Sequence, residues 1–231
     1  MTLRPMIRQH VVGTEVLVWD LDLAPEIASD ASGVLPAHEV AAALKARDPI
    51  VRSRRLTGRI LVRHKLADWM NQEPGELAFE TGPHGKPFLR SGPAFNISHS
   101  GKYLALAVRS SGRVGIDIEV VRDSPDLSAL ASRYFTESER REIAKSPDGV
   151  TRAFFRVWVR KEAFLKATGF GLALALDSFS VSAAELPPGA NALAAMDVAG
   201  ENFREWLVTS ASTPNETLMA LAVCDPDVSV E

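Results

Sequence analysis

Val114-Gly115-Ile116-Asp117-Ile118-Glu119-Val120 is the stretch on which the reading of this chain turns. Successive side chains of a β-strand point to opposite faces. Val114, Ile116, Ile118 and Val120 then make one apolar face, the one expected to be buried, while Gly115, Asp117 and Glu119 share the other. Two neighbouring carboxylates repel each other, and a partner that neutralises them is expected wherever water does not reach them fully. A hard, oxygen-seeking cation such as Mg²⁺ suits such a pair, with waters and phosphate oxygens completing its octahedron. Taken alone, the two acids are equally explained as the wet face of an amphipathic strand.

Downstream, Val150–Ala167 carries the longest helical pattern, and Trp158, Glu162 and Lys166 fall four residues apart on one face of it. Glu162 ahead of Lys166 is the order of an ordinary surface ion pair; the tryptophan one turn earlier points that face at protein or ligand. A helix is expected at Pro125–Tyr134, and Thr136-Glu137-Ser138-Glu139 has the form of a capping box for the next. Strands are expected at Ser178–Ser182, Arg204–Thr209 and Leu218–Cys224.

Upstream, strands at Ala94–Ser98 and Tyr103–Val108 are joined by a loop holding Ser98, His99, Ser100 and Gly101. Before them lies a turn-rich region, Glu73 to Gly92, centred on Gly82-Pro83-His84-Gly85-Lys86-Pro87. His38 to Met70 reads as helical, broken into two helices at Asp48-Pro49. Between Lys45 and Lys65 there are eight Lys/Arg and one acid, Asp48: a solvated helix face or a phosphate-facing wall. Val11 to Leu23 alternates as an edge strand would. Leu104–Val108 is echoed by Leu218–Val223, as two similar α+β halves would produce, 1–113 and 114–231, with the boundary near Gly112–Val114.

The 231 residues are 46% hydrophobic and 24% charged, which excludes collagen-like, low-complexity and largely disordered classes. A formal net charge of −3 removes any global attraction to nucleic acid, so an anion site must be local. The single cysteine, Cys224, allows neither an internal disulfide nor a cysteine zinc cage and fits a reducing compartment. Met1–Val12 lacks a signal-peptide core, and apolar runs such as Leu172–Leu176 are too short for a bilayer. A cytoplasmic protein that does not engage membranes or nucleic acid is expected.

His84-Gly85-Lys86-Pro87, Phe95-Asn96-Ile97-Ser98-His99-Ser100, Gly115-Ile116-Asp117-Ile118-Glu119 and Trp158-x-x-Lys161-Glu162-Ala163-Phe164-x-Lys166 occur in that order. Together with Phe135-Thr136 and Gly169-x-Gly171-Leu172, they make the chain resemble the Sfp-type 4′-phosphopantetheinyl transferases from about His84 to Val181. The resemblance implies an α+β fold of two halves related by a pseudo-twofold axis, acting as a monomer, with the active site in the cleft between them. It implies transfer of 4′-phosphopantetheine from coenzyme A to a serine of an apo acyl or peptidyl carrier protein of polyketide, nonribosomal peptide or siderophore synthesis. Adenosine 3′,5′-bisphosphate leaves, and Mg²⁺ is required.

By the same resemblance, Asp117 and Glu119 match the metal ligands and Glu162 a third acid, as ligand, general base or both. Lys86, Ser98 and His99 match contacts to the phosphates of coenzyme A, and Lys166 a phosphate contact next to the reaction. Lys45, Arg47 and Arg54 fall where basic residues surround the 3′-phosphate. Two positions depart from the usual pattern: Val159, where a small residue is common, and the Arg54-Arg55-Leu56-Thr57 neighbourhood, where some members carry a nucleotide-touching threonine. Phe164–Leu176, with Phe170, Leu172 and Leu174, offers an apolar docking surface for the carrier or, equally, plain core. The competing readings are a coenzyme-A-binding protein without transferase activity, a Mg²⁺-dependent nucleotide phosphohydrolase and a purely structural module.

Overall fold

The computed structural model describes residues 4–23, 31, 33–171, 174–196, 206–211, 213–214 and 216–225. The chain opens with a hairpin, β1 (Ile7–Val11) and β2 (Thr14–Asp20), turned by Val12 and Gly13, both at positive φ (46° and 66°). Two helices follow, α1 (Ala37–Leu44) and α2 (Pro49–Met70). The first ends at Leu44 with Lys45 as its C-cap, and Asp48 caps the second: its side chain accepts from the Ile50 N–H at 2.7 Å, with Pro49 at the first helical position. A short hairpin, β3 (Phe79–Thr81) and β4 (Pro87–Leu89), precedes β5 (Ala94–Ser100), β6 (Tyr103–Arg109) and β7 (Arg113–Val120). Then come α3 (Leu127–Tyr134), α4 (Glu137–Ala144), α5 (Val150–Thr168), β8 (Phe179–Val181), β9 (Leu193–Met196), β10 (Trp206–Ser210) and β11 (Thr217–Cys224).

Strands from the first part of the chain form one antiparallel sheet, β1-β2-β6-β5, and later strands another, β10-β11-β7. The sheets face each other across a shared apolar layer. Val16 and Val18 of β2 with Ala105 and Ala107 of β6 meet Val114, Ile116 and Ile118 of β7 with Met219, Leu221 and Val223 of β11. Each outer face carries a long helix: α2 covers Leu17, Trp19, Leu104 and Leu106, and α5 covers Ala220 and Ala222. The order is helix, sheet, sheet, helix, an α+β architecture. The echoing segments, Leu104–Val108 and Leu218–Val223, lie on β6 and β11, each a central strand of its sheet.

Several expectations are corrected. Val11–Leu23 is not one edge strand: β1 is the edge, and β2 lies between β1 and β6 with all seven residues buried. Ser98, His99 and Ser100 sit on β5, not in a loop; the turn to β6 is Gly101-Lys102, with Gly101 at φ 59°. Phe164 and Leu174 are buried in the core under α5, so they offer no free docking surface; Phe170 is half-buried, and Leu172 lies outside the described residues. Among the described residues, no helix is long and apolar enough to cross a membrane.

Candidate active site

Residue 115 decides how close α5 can come to β7. A Cβ there would stand 2.1 Å from the Ala163 carbonyl oxygen and 2.4 Å from the Ala167 nitrogen, so only glycine fits beneath the helix. The close approach brings Glu162 and Lys166 of α5 over the face of β7 that carries Asp117 and Glu119. The Lys166 Nζ donates to Asp117 Oδ1 at 2.6 Å and to Ser98 Oγ at 3.0 Å. Ser98 Oγ in turn donates to the same carboxylate oxygen at 2.8 Å, and Ser100 Oγ donates to Glu119 Oε2 at 2.6 Å.

β5 and β7, the facing edges of the two sheets, are joined by side chains. Asn96 Oδ1 accepts from the Ile116 N–H at 2.9 Å, Ser98 Oγ from Ile118 at 3.3 Å and Ser100 Oγ from Val120 at 3.1 Å. Lys86, in the β3–β4 loop, continues the series: its Nζ donates to the Val114 carbonyl at 2.8 Å and to the Lys166 carbonyl at 2.6 Å. Backbone groups of an edge strand need partners once buried, and here four side chains of the first half of the chain supply them.

The electrostatics follow from this packing. Burial pushes the Asp117 carboxyl up, against the pull of Lys166 and Ser98. Glu119 is raised first by burial and then by Asp117, and Glu162 by burial, Asp117 and Glu119. Three acids thus hinder one another's ionisation. Although exposed at its rim, His99 is held below the ordinary imidazole range by desolvation and by Lys166, Arg55 and Arg59. Lys86 is pushed down to about 8 by burial and by Arg113.

A divalent cation can be tested against this arrangement. Asp117 Oδ2 is buried and has no hydrogen-bond partner, a costly position for a carboxylate oxygen that nothing else receives. Hard oxygen donors in a cluster of mutually repelling acids suit Mg²⁺. Among the described residues no group of three or more His, Cys, Asp or Glu side chains is placed to hold a metal ion; Mg²⁺ is commonly held by one or two carboxylates with substrate phosphates completing its shell. The residues fit.

The other expected positions divide. Lys45 and Arg47 are exposed at the corner between α1 and α2. Arg54 makes a two-pronged pair with Asp22, Nε to Oδ1 at 2.7 Å and Nη2 to Oδ2 at 2.6 Å. Lys86 is engaged with the two carbonyls above. Trp158 packs into an aromatic cluster with Tyr134, Phe135 and Phe154 rather than toward the acids. Val159 belongs to the core.

The motif also hides a residue whose role spacing did not suggest. Lys161 is fully buried, its Nζ donating to the carbonyls of Leu176 and Phe179, both at 2.6 Å, and paired with Glu139 at 2.8 Å. Glu139 also closes the capping box on α4 through the Thr136 N–H. A lysine beside Glu162 gave no sign of burial; only its phase on α5, one residue off the acid's face, separates the two.

Comparison with known proteins adds a second line. The profile of the 4′-phosphopantetheinyl transferase superfamily matches residues 113–222, and that of the 4′-phosphopantetheinyl transferase N-terminal region matches 29–111. The chain is 34% identical over 214 residues to a 4′-phosphopantetheinyl transferase, HetI, of Nostoc sp., covering 82% of this chain and 90% of that protein. It is 39% identical over 131 residues to the 4′-phosphopantetheinyl transferase Sfp of Bacillus subtilis, covering 55% of this chain and 57% of that one. With the 4′-phosphopantetheinyl transferase AcpT of Salmonella typhi it shares 36% over 140 residues, 58% of this chain and 69% of that protein.

Proposed function

The chain belongs to the 4′-phosphopantetheinyl transferase superfamily, and from that premise we propose that it moves the 4′-phosphopantetheine of coenzyme A onto a serine of an apo carrier protein. The observation that carries the reading is the contact of Lys166, Asp117 and Ser98 where the two sheets meet, with Asp117 Oδ2 left for a ligand.

In this reading Asp117 and Glu119, with Glu162 beside them, hold Mg²⁺, which supplies charge neutralisation on the pyrophosphate oxygens when bound. Lys166 and His99 stand against the same oxygens, Lys166 as a cation and His99 as a hydrogen-bond donor. Lys45 and Arg47 receive the 3′-phosphate, and Arg54 joins them by exchanging its Asp22 partner. Ser98 and Lys86 act on the phosphates through the edge they brace. Glu162 takes the proton of the attacking serine hydroxyl. The serine oxygen bonds to the pantetheine-side phosphorus while the bond to the other phosphate breaks, and adenosine 3′,5′-bisphosphate departs. The enzyme works in the cytoplasm as a monomer of two halves, 1–113 and 114–231, and its carriers serve polyketide, peptide or siderophore assembly.

The test is the intact mass of an apo carrier protein incubated with the enzyme, coenzyme A and Mg²⁺. A gain of one phosphopantetheine, abolished by a chelator, is expected. Release of nucleotide without a carrier adduct would replace the reading with phosphohydrolysis. Coenzyme A binding without any product, across peptidyl, polyketide and fatty-acid carriers, would replace it with a binding function.

A further inference from the structure

Three consecutive inward positions of β5 face β7, and they are not alike. Asn96 faces Gly115 and Ile116, and its side-chain oxygen receives the Ile116 N–H. Ser98 and Ser100 receive the next two N–H groups and, unlike the amide, use the hydroxyl proton on a carboxylate: Ser98 on Asp117, Ser100 on Glu119. A hydroxyl appears where β7 carries an acid, an amide where it carries glycine. Both strands advance two residues per repeat, so one register fixes both serine–acid pairs. The two acids are not equally secured. Asp117 Oδ1 is also held by Lys166, whereas among the described residues the hydrogen bond received by the Glu119 carboxylate is that of Ser100. Ser100 is buried and Glu119 half-buried.

We propose that Ser100 is a positioning residue for Glu119: its hydroxyl, fixed by the Val120 N–H, ties Oε2 and leaves Oε1 for the metal. Of the bonds along that edge, the one made by Ser100 thereby sets how Glu119 meets the cation. This rests on Glu119 being a metal ligand, as proposed above.

Isothermal titration of Mg²⁺ into the full chain saturated with coenzyme A, without carrier protein, separates the two ideas. Wild type should bind Mg²⁺; no binding would remove Glu119 as a ligand and this proposal with it. Ser100→Ala should raise the Mg²⁺ dissociation constant about tenfold, the usual consequence of losing a group that orients a ligand. Ser100→Cys, which keeps the volume but donates weakly, should behave alike and serves if the alanine variant does not fold. Asn96→Ala removes the neighbouring edge bond and faces no acid, so it should lower the melting temperature and leave Mg²⁺ affinity unchanged. Wild-type affinity in both Ser100 variants, or an equal loss in Asn96→Ala, would overturn the positioning role.

Discussion

Glu162 and Gly115 show what single residues contribute. Glu162 is half-buried beside two other acids, and the proposed chemistry uses it to accept a proton. Glu162→Gln keeps the shape and removes the base, so turnover should fall by about a hundredfold or more while coenzyme A affinity changes little. Equal losses in both would leave Glu162 a binding group only. Gly115 acts sterically. With Ala163 O standing 2.1 Å from where a Cβ would be, Gly115→Ala must push α5 off β7. A loss of about 3 kcal/mol, or failure to fold, is expected in urea denaturation, the upper range for overpacking; an unchanged midpoint would mean the helix can shift freely. That Asp117 and Glu119 share one face of a strand, and Glu162 and Lys166 one face of a helix, was legible in the sequence from the strand and helix periods. The bonds of Ser98 and Lys86 to β7 were not, because both depend on which strands lie edge to edge, and no local pattern encodes that.

Among the elements, α4 and α5 carry the second lesson. The capping box at Thr136–Glu139 was readable from four residues. That Glu139 would also accept from Lys161 and from the Val181 N–H depends on the packing of α5 and β8 against α4. Lys161→Met should cost about 3 kcal/mol, because it strips a buried carboxylate and two buried carbonyls of their shared cation. Thermal or urea unfolding would read the loss, and wild-type stability would show that Glu139 is satisfied by its backbone donors. The β1–β2 hairpin was missed for a local reason: its turn residues are Val12 and Gly13 rather than the Asn-Gly or Asp-Gly that usually announce such turns. The extension of β5 through Ser100 was missed because serines and a histidine resemble a loop until their partners on β7 are known.

For the molecule as a whole, Lys86 reaches from the β3–β4 hairpin to both β7 and α5. Its pKa of about 8 lies below that of an unfolded lysine, so the folded chain sheds this proton first as pH rises. Stability should therefore gain from Lys86 between about pH 8 and 10.5, where the unfolded state binds more protons. Urea midpoints compared at pH 8 and pH 10 should rise in wild type relative to Lys86→Met. Parallel behaviour of the two proteins would show that Lys86 ionises as it does in the unfolded chain.

The apolar layer between the sheets has a consequence for cutting the chain. Its residues come from both sides of the Ser110–Gly112 turn, with Val16, Val18 and Ala105 before it and Ile116, Ile118 and Leu221 after it. A break at that turn would sever no hydrogen-bonded ladder between the sheets, yet each fragment would carry a bare hydrophobic sheet face. Expressed apart, the fragments should be insoluble; expressed together, they should recognise each other as complementing partners and rebuild the shared layer from two chains.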